Sequence, residues 1–313
     1  QGGDAVFDSN GDPITHDAGV ILPPAGIDVT IDFGFYRVGA LGDFVWIDAN
    51  GDGIQDALEP GIEDVLLCLY TDVDGDGAYT PGTDEPVVGA GGLGADQNCT
   101  LTDVDGYYLF SDLPPGDYVV VVDESNFQIG GLLEIFAPTE PFQGSDPVID
   151  SNGNPLTHDA GVALPSGAVD LTIDFGFYQL GSLGDYVWND ANSDGIQELL
   201  ESGIEDVLVC LYIDVDKDGA FTDGVDMPVS GAGTEPAPND HCVLTDANGN
   251  YMFENLPPGD YVVLVEAGNF ADGEPLFECT PSPPFQGADP LLDSNGDPVT
   301  HDAGWALGSG ENY

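Results

Sequence analysis

The chain has 313 residues, and its 58 Asp and Glu stand against two basic residues, Arg37 and Lys217, for a formal net charge of −56. Such a surface repels nucleic acid and anionic membranes, and no apolar run reaches the roughly 18 to 20 residues that a membrane-spanning helix needs. Yet 42% of the residues are hydrophobic and 10% aromatic, so the chain is expected to fold once bound cations quench its crowded carboxylates, and calcium, a hard cation with oxygen ligands, suits that task.

Near the N-terminus, residues 28–36 read DVTIDFGFY. Val29, Ile31, Phe33 and Phe35 alternate with Asp28, Thr30, Asp32 and Gly34, which predicts a strand with one buried face. Almost the same words return at 170–178 as DLTIDFGFY, and Trp46 and Trp188 stand 142 residues apart. His16, His158 and His301 repeat in THDAG at spacings of 142 and 143. A period of that length is a whole domain, so the chain is a tandem array and not a short-repeat solenoid. Residues 1–36 read as the tail of a preceding module carrying a candidate donor strand at 27–36, residues 37–178 as one module, and residues 179–313 as a second without its closing strand.

Within the first module the elements run DFVWID, DVLLCLY, YYLF and DYVVVV, separated by Gly, Pro, Asp and Asn clusters. Short β-branched and aromatic stretches with such punctuation predict an all-β sandwich. After the first strand, Asp48, Asn50, Asp52, Asp56 and Glu59 fall at loop positions 1, 3, 5, 9 and 12, with glycine at 6 and the Ile54 carbonyl at 7. That is the EF-hand ligand schedule. It recurs as Asp190, Asn192, Asp194, Ile196, Glu198 and Glu201. The plainer alternative is an Asp- and Asn-rich turn with no ion, and recurrence at matched positions argues against it. No amphipathic helices flank the loop, so it is an EF-like loop on a β-scaffold.

The next loop carries Asp72, Asp74, Asp76 and Asp84, matched by Asp214, Asp216, Asp218 and Asp226. Alternate carboxylates converge only if the backbone curls around a cation. Its twelfth position is Thr83 or Val225, so a bidentate ligand falls one residue late. Several Ca2+ ions per module are the expected cofactors. Asp103 and Asp105, like Asp246 and Asn248, either complete these sites or form hairpin turns. The DSNGDP and DSNGNP segments at 8–13, 150–155 and 293–298 are weaker candidates, and the neighbouring histidines read as structural.

Cys68 and Cys99 recur as Cys210 and Cys242, one pair per module. That retention argues for intramodule disulfides and an oxidising setting outside the cytoplasm, against the alternative of two buried thiols in each core. Cys279 is unmatched, with Phe136 at its place in the first module. Asn98 opens an Asn-Cys-Thr acceptor pattern for glycosylation, a short and weak match.

GDYVWNDANSDGIQE, GIEDVLVCLY, TDANGNYMFENLPPGDYVV and DFGFY together resemble the B-type domain of the serine-aspartate repeat surface adhesins, the SdrD B-like family, related to collagen-adhesin B-type modules. The resemblance covers nearly the whole chain and implies calcium-binding, Ig-like β-sandwich modules that serve as stalks or spacers on bacterial surfaces. Two departures stand out. Collagen-adhesin modules are often locked by Lys–Asn isopeptide bonds, whereas Lys217 is the only lysine here, and the cysteine pairs are an addition.

No GxSxG, HExxH or phosphate-cradling loop is present, so catalysis is not expected. The expected function is an extracellular structural subunit of a bacterial surface fibre or secreted filament. Copies would join head-to-tail, with Val29, Ile31, Phe33 and Phe35 of one chain in the pockets that Leu171, Ile173, Phe175 and Phe177 fill within module one. Two alternatives stand beside it: a stalk segment of a longer adhesin, and a calcium-dependent carbohydrate-binding module whose partners are glycans or host and neighbouring-cell surfaces.

Overall fold

The computed structural model describes residues 12, 14–22, 24–289 and 291–312. In the first module the predicted stretches become β1 (Gly39–Ile47), β2 (Leu66–Thr71), β3 (Glu85–Pro86), β4 (Cys99–Leu101), β5 (Tyr107–Leu113), β6 (Gly116–Val122), β7 (Phe136–Pro138), β8 (Asp159–Leu164), β9 (Val169–Asp170) and β10 (Phe175–Gln179). One sheet runs β5-β1-β10-β7 with β9 also on β1, and the other runs β3-β2-β6-β8 with β4 on β2. Leu41, Val45, Phe110, Phe175 and Phe177 from the first sheet meet Leu67, Leu69, Val120 and Val122 from the second in one core. The result is an Ig-like sandwich, and β10 closes it by pairing parallel to β1.

The closing strand is not continuous. The alternation of residues 170–178 predicts one strand, but β9 pairs with Ala40 and Leu41 while β10 pairs with Val45 to Ile47. Between them the Asp174 carboxylate accepts the Phe44 amide at 3.0 Å, taking a place that a ladder carbonyl would hold. Leu171 is consequently 43% exposed, whereas Ile173, Phe175 and Phe177 are buried. Gly176 lies against the Trp46 ring, where an added Cβ would come within 2.7 Å of the indole. The glycine of DFGFY is therefore a packing requirement.

The second module repeats this plan in β11 (Gly181–Tyr186), β12 (Leu208–Ile213), β13 (Met227–Pro228), β14 (Cys242–Leu244), β15 (Asn250–Leu256), β16 (Gly259–Val265) and β17 (Asp302–Leu307). Its second sheet runs β13-β12-β16-β17 with β14 on β12, and among the described residues its first sheet holds β11 and β15. Among the described residues no strand occupies the β11 edge as β10 occupies that of β1. Residues 279–281, which match β7, form no strand either, in keeping with the absence of a partner.

Residues 28–36 form no strand in this chain, contrary to the alternation read from the sequence. Val29 is 71% exposed, Phe33 48% and Phe35 83%. Such a pattern needs a sheet to bury it, and the matching place in module one is already filled by β10.

Cys68–Cys99 and Cys210–Cys242 are bonded, each joining paired residues of neighbouring strands, and Cys279 is free and exposed. The loops they close span 31 and 32 residues, for which chain entropy gives about 3 kcal/mol each. Reduction should lower each module's unfolding free energy by about that amount, read from denaturant titrations with and without reductant. An unchanged midpoint after verified reduction would remove the stabilising role. The Asn98 side chain is 5% exposed overall and its amide donates to the Leu69 carbonyl at 3.2 Å. A glycan on Asn98 would have to be added before this side chain packs.

Candidate metal-binding loops and an open groove

The 48–59 loop adopts the turn that its glycines and acids dictate. Asp48 is fully buried; its Oδ1 accepts the Gly51 amide at 2.7 Å, and its Oδ2 accepts the Gly53 amide at 2.9 Å and the Thr139 hydroxyl. Glu59 reaches back to accept from the Ala49 and Asp56 amides at 2.7 and 3.0 Å. Asn50 stands between Asp52 and Asp56, donating its amide to each at 3.1 Å. A cation in that place would meet the amide turned about, oxygen inward. The Ile54 amide donates to Asp52, which leaves the Ile54 carbonyl for the seventh position.

The loop of module two repeats this bond for bond. Asp190 accepts from Ser193 and Gly195, Glu201 from Ala191 and Glu198, and Asp194 from Ile196, while Asn192 bridges Asp194 and Glu198. Burial, then repulsion from Asp48 and Asp56, raises the Glu59 carboxyl above its usual range. Glu198 is raised in the same way, with Asp194 the foremost charge. Thr139, ninety-one residues from Asp48, carries no motif and was not legible in the sequence; Ser282 plays its part toward Asp190.

In the second loops the carboxylates converge further. Asp72, Asp74 and Asp76 bring oxygens within 4.8 Å of one another, as do Asp214, Asp216 and Asp218. Partial desolvation first, then the neighbouring acids, raise Asp74 and Asp216. Asp84 and Asp226 are buried and accept backbone amides through both oxygens, fixing the loop's return. Each loop folds down onto the sheet. Asp159 accepts the Tyr79 amide at 2.7 Å, and a Cβ on Gly161 would come within 2.4 Å of the Gly77 carbonyl. Asp302 and Gly304 do the same in module two.

The other described acidic motifs contain turns, and DSNGDP at 8–13 lies, Asp12 aside, outside the described residues. Asp103 accepts from the Asp105 and Tyr107 amides, and Asp246 from those of Asn248 and Asn250, the bonding of hairpin turns. Asn154 and Asp297 cap turns likewise, and His158 and His301 stack on Phe127 and Phe270. His241 lies beside Cys210 and Cys242, but those sulfurs are held in the disulfide.

Where β10 would lie, module two has an open groove of about 590 Å3 lined by Val187, Trp188, Val263, Val265, Phe270 and Leu276, among others. Trp46 is fully buried, while its counterpart Trp188 is half-buried. A parallel bridge between Ser182 and Asn312 matches the Ala40–Val169 pairing of module one.

This arrangement of loops and strands has known relatives. The sequence profile of the SdrD B-like domain matches residues 39–177 and 181–232. The chain belongs to the SdrD B-like domain family. Serine-aspartate repeat-containing protein F of Staphylococcus epidermidis (strain ATCC 12228 / FDA PCI 1200) is 35% identical over 269 residues, covering 85% of this SdrD B-like chain and 13% of that protein. Serine-aspartate repeat-containing protein E of Staphylococcus aureus (strain USA300) is 36% identical over 267 residues, covering 84% of the chain and 18% of that protein. The SdrD B-like chain thus spans less than a fifth of the length of these relatives. Among solved structures, a streptococcal ancillary pilin matches at 12% identity, covering 88% of this chain and 61% of its own with a TM-score of 0.27. The shaft pilin SpaA from Lactobacillus rhamnosus GG matches at 9%, covering 89% and 96% with a TM-score of 0.25. Likenesses at that level carry no further argument.

Proposed function

We propose that the chain is a non-enzymatic structural component of a bacterial surface, stiffened by Ca2+ in its four acidic loops and joined head-to-tail by strand exchange. The observation that carries the reading is a complementarity. Module two holds an open groove at the β11 edge, walled by apolar and acidic side chains alike, and most of residues 28–36 are exposed in nearly the sequence of the strand that closes module one. Phe33 and Phe35 would take the places of Phe175 and Phe177, and Gly34 would meet Trp188 as Gly176 meets Trp46. Val29 corresponds to the half-exposed Leu171 and would anchor little. Donor and acceptor surfaces differ, so the contact propagates unless rotation closes a ring.

A second reading has its own support. The Ser182–Asn312 bridge starts the closing crossover along β11, so the residues that follow in a longer adhesin stalk would also close the module. The two are separated by crosslinking. Val45 faces Phe175 in the β1–β10 register, which places Phe33 beside Val187 across the exchanged contact. In a Cys279→Ser background, Phe33→Cys with Val187→Cys should give a ladder of disulfide-linked oligomers under mild oxidation in calcium. Monomers alone on a non-reducing gel would overturn the exchange and leave the stalk reading.

A further inference from the structure

Module one also buries a group of carboxyls away from the four loops. Asp174 is fully buried; its Oδ1 takes the Phe44 amide, and its Oδ2 meets no donor. Residues 150–152 run beside it, with the Asn152 amide donating to the Asp174 carbonyl and the Asp174 amide to Asn152 Oδ1, both at 2.8 Å. The same segment leans on the first loop through the Ile54–Asp150 bridge and the Gln55 amide bond to the Ile149 carbonyl at 2.7 Å. Asp150 is 7% exposed, and its Oδ1 also has no donor. The Gln55 side-chain amide lies against Asp174 with a buried Nε2 that finds no acceptor.

Among the described residues no ion pair reaches this cluster. Lys217 pairs with Asp260 at 2.8 Å. Burial, then the Asp43 carboxylate and in lesser degree Asp150, push the Asp174 carboxyl up to about 9. Orphaned buried oxygens on two acids are costly, and a proton on Asp174 would leave Asp150 unanswered.

We propose that Asp150, Asp174 and the Gln55 amide oxygen hold a buried divalent cation, Ca2+ by the hardness of its ligands, with Asp43 supplying further negative charge. The Gln55 amide then presents its oxygen inward, an assignment that coordinates without hydrogens leave open. The ion clamps the closing strand to the first loop and to the 150–152 segment. Module two keeps the other members: Gln197 Nε2 and Asp293 Oδ1 are again buried and unpaired, Ile196 bridges Asp293, and Asp185 matches Asp43. The member it lacks is the one that Asp32 would supply from a second chain. That extension rests on the strand-exchange reading; the site in module one does not.

Native mass spectrometry of the full chain at saturating calcium tests both. Asp174→Asn keeps the volume and the Phe44 acceptor, and it should bind one Ca2+ fewer per chain than the parent. Asp52→Ala, in the first loop, should remove a different ion, so that the double variant loses both. An unchanged count with Asp174→Asn overturns the site, because asparagine would then simply replace a protonated acid. If that variant fails to fold by circular dichroism, Asp150→Asn serves the same comparison. Asp32→Asn should weaken the crosslinked ladder in calcium at least tenfold. A ladder that survives while Asp174→Asn loses its ion overturns only the extension to a second chain.

Discussion

Excess EDTA at low ionic strength should lower the melting temperature of the chain by on the order of 20 °C. Two loops per module each gather several acids, against which Lys217 alone stands as a basic side chain within a loop; within Asp72, Asp74 and Asp76 the oxygens already lie within 4.8 Å. A site held at a thousandfold excess over its dissociation constant adds about 4 kcal/mol, so two per module are a large share of a domain's stability. Magnesium should restore little of the loss, since it demands near-octahedral geometry and releases water reluctantly. Differential scanning calorimetry with calcium, with EDTA and with magnesium reads the three states. A melting temperature that ignores EDTA would show that hydrogen bonds alone hold the loops, and the metal assignment for Asp48 to Glu59 and Asp72 to Asp84 would fall.

Deleting residues 1–36 should yield monomers in which module two melts well below module one. The core of module one includes Ile173, Phe175 and Phe177, and that of module two has no counterparts to them among the described residues. Burying three such side chains contributes roughly 6 kcal/mol, from which the ordering of an extended segment subtracts. A peptide of residues 27–36 added in trans should therefore bind with micromolar affinity and raise only the lower transition. Phe35→Asp in that peptide should abolish the effect. Assemblies that persist after the deletion, seen by light scattering, would sink strand exchange whatever the peptide does.

Much of this was legible in the sequence, and the boundary has physical causes. The sandwich follows from short alternating stretches between Gly, Pro and Asp clusters, and the disulfides from one cysteine pair per period. The loops were legible because their ligands are local: Asp48 and Glu59 lie within one turn of chain. Asp43, Gln55, Asp150 and Asp174 come from four separate stretches; Asp150 opens one of the weaker DSNGNP candidates, but nothing in the spacing says that these four meet. The break between β9 and β10 was equally hidden, since Asp174 interrupts the ladder with its side chain while the apolar alternation runs on unbroken. The donor segment shows the opposite failure. Its pattern states what the residues need, a sheet, and says nothing of which chain supplies it.

The parallel pairing of β10 with β1 sets how the chain answers a pull. Module one is entered at the start of β1 and left at the end of β10, and only Leu180 separates β10 from β11. Tension along the backbone therefore draws two parallel strands past each other lengthwise, and the bonds between them resist together instead of unzipping one by one. The Cys68–Cys99 disulfide lies in the other sheet, whereas the first acidic loop begins on this seam, its Asp48 amide donating to the Phe177 carbonyl at 2.8 Å. A module built this way carries load through the seam between its first and last strands, and module two has no strand at the matching seam among the described residues.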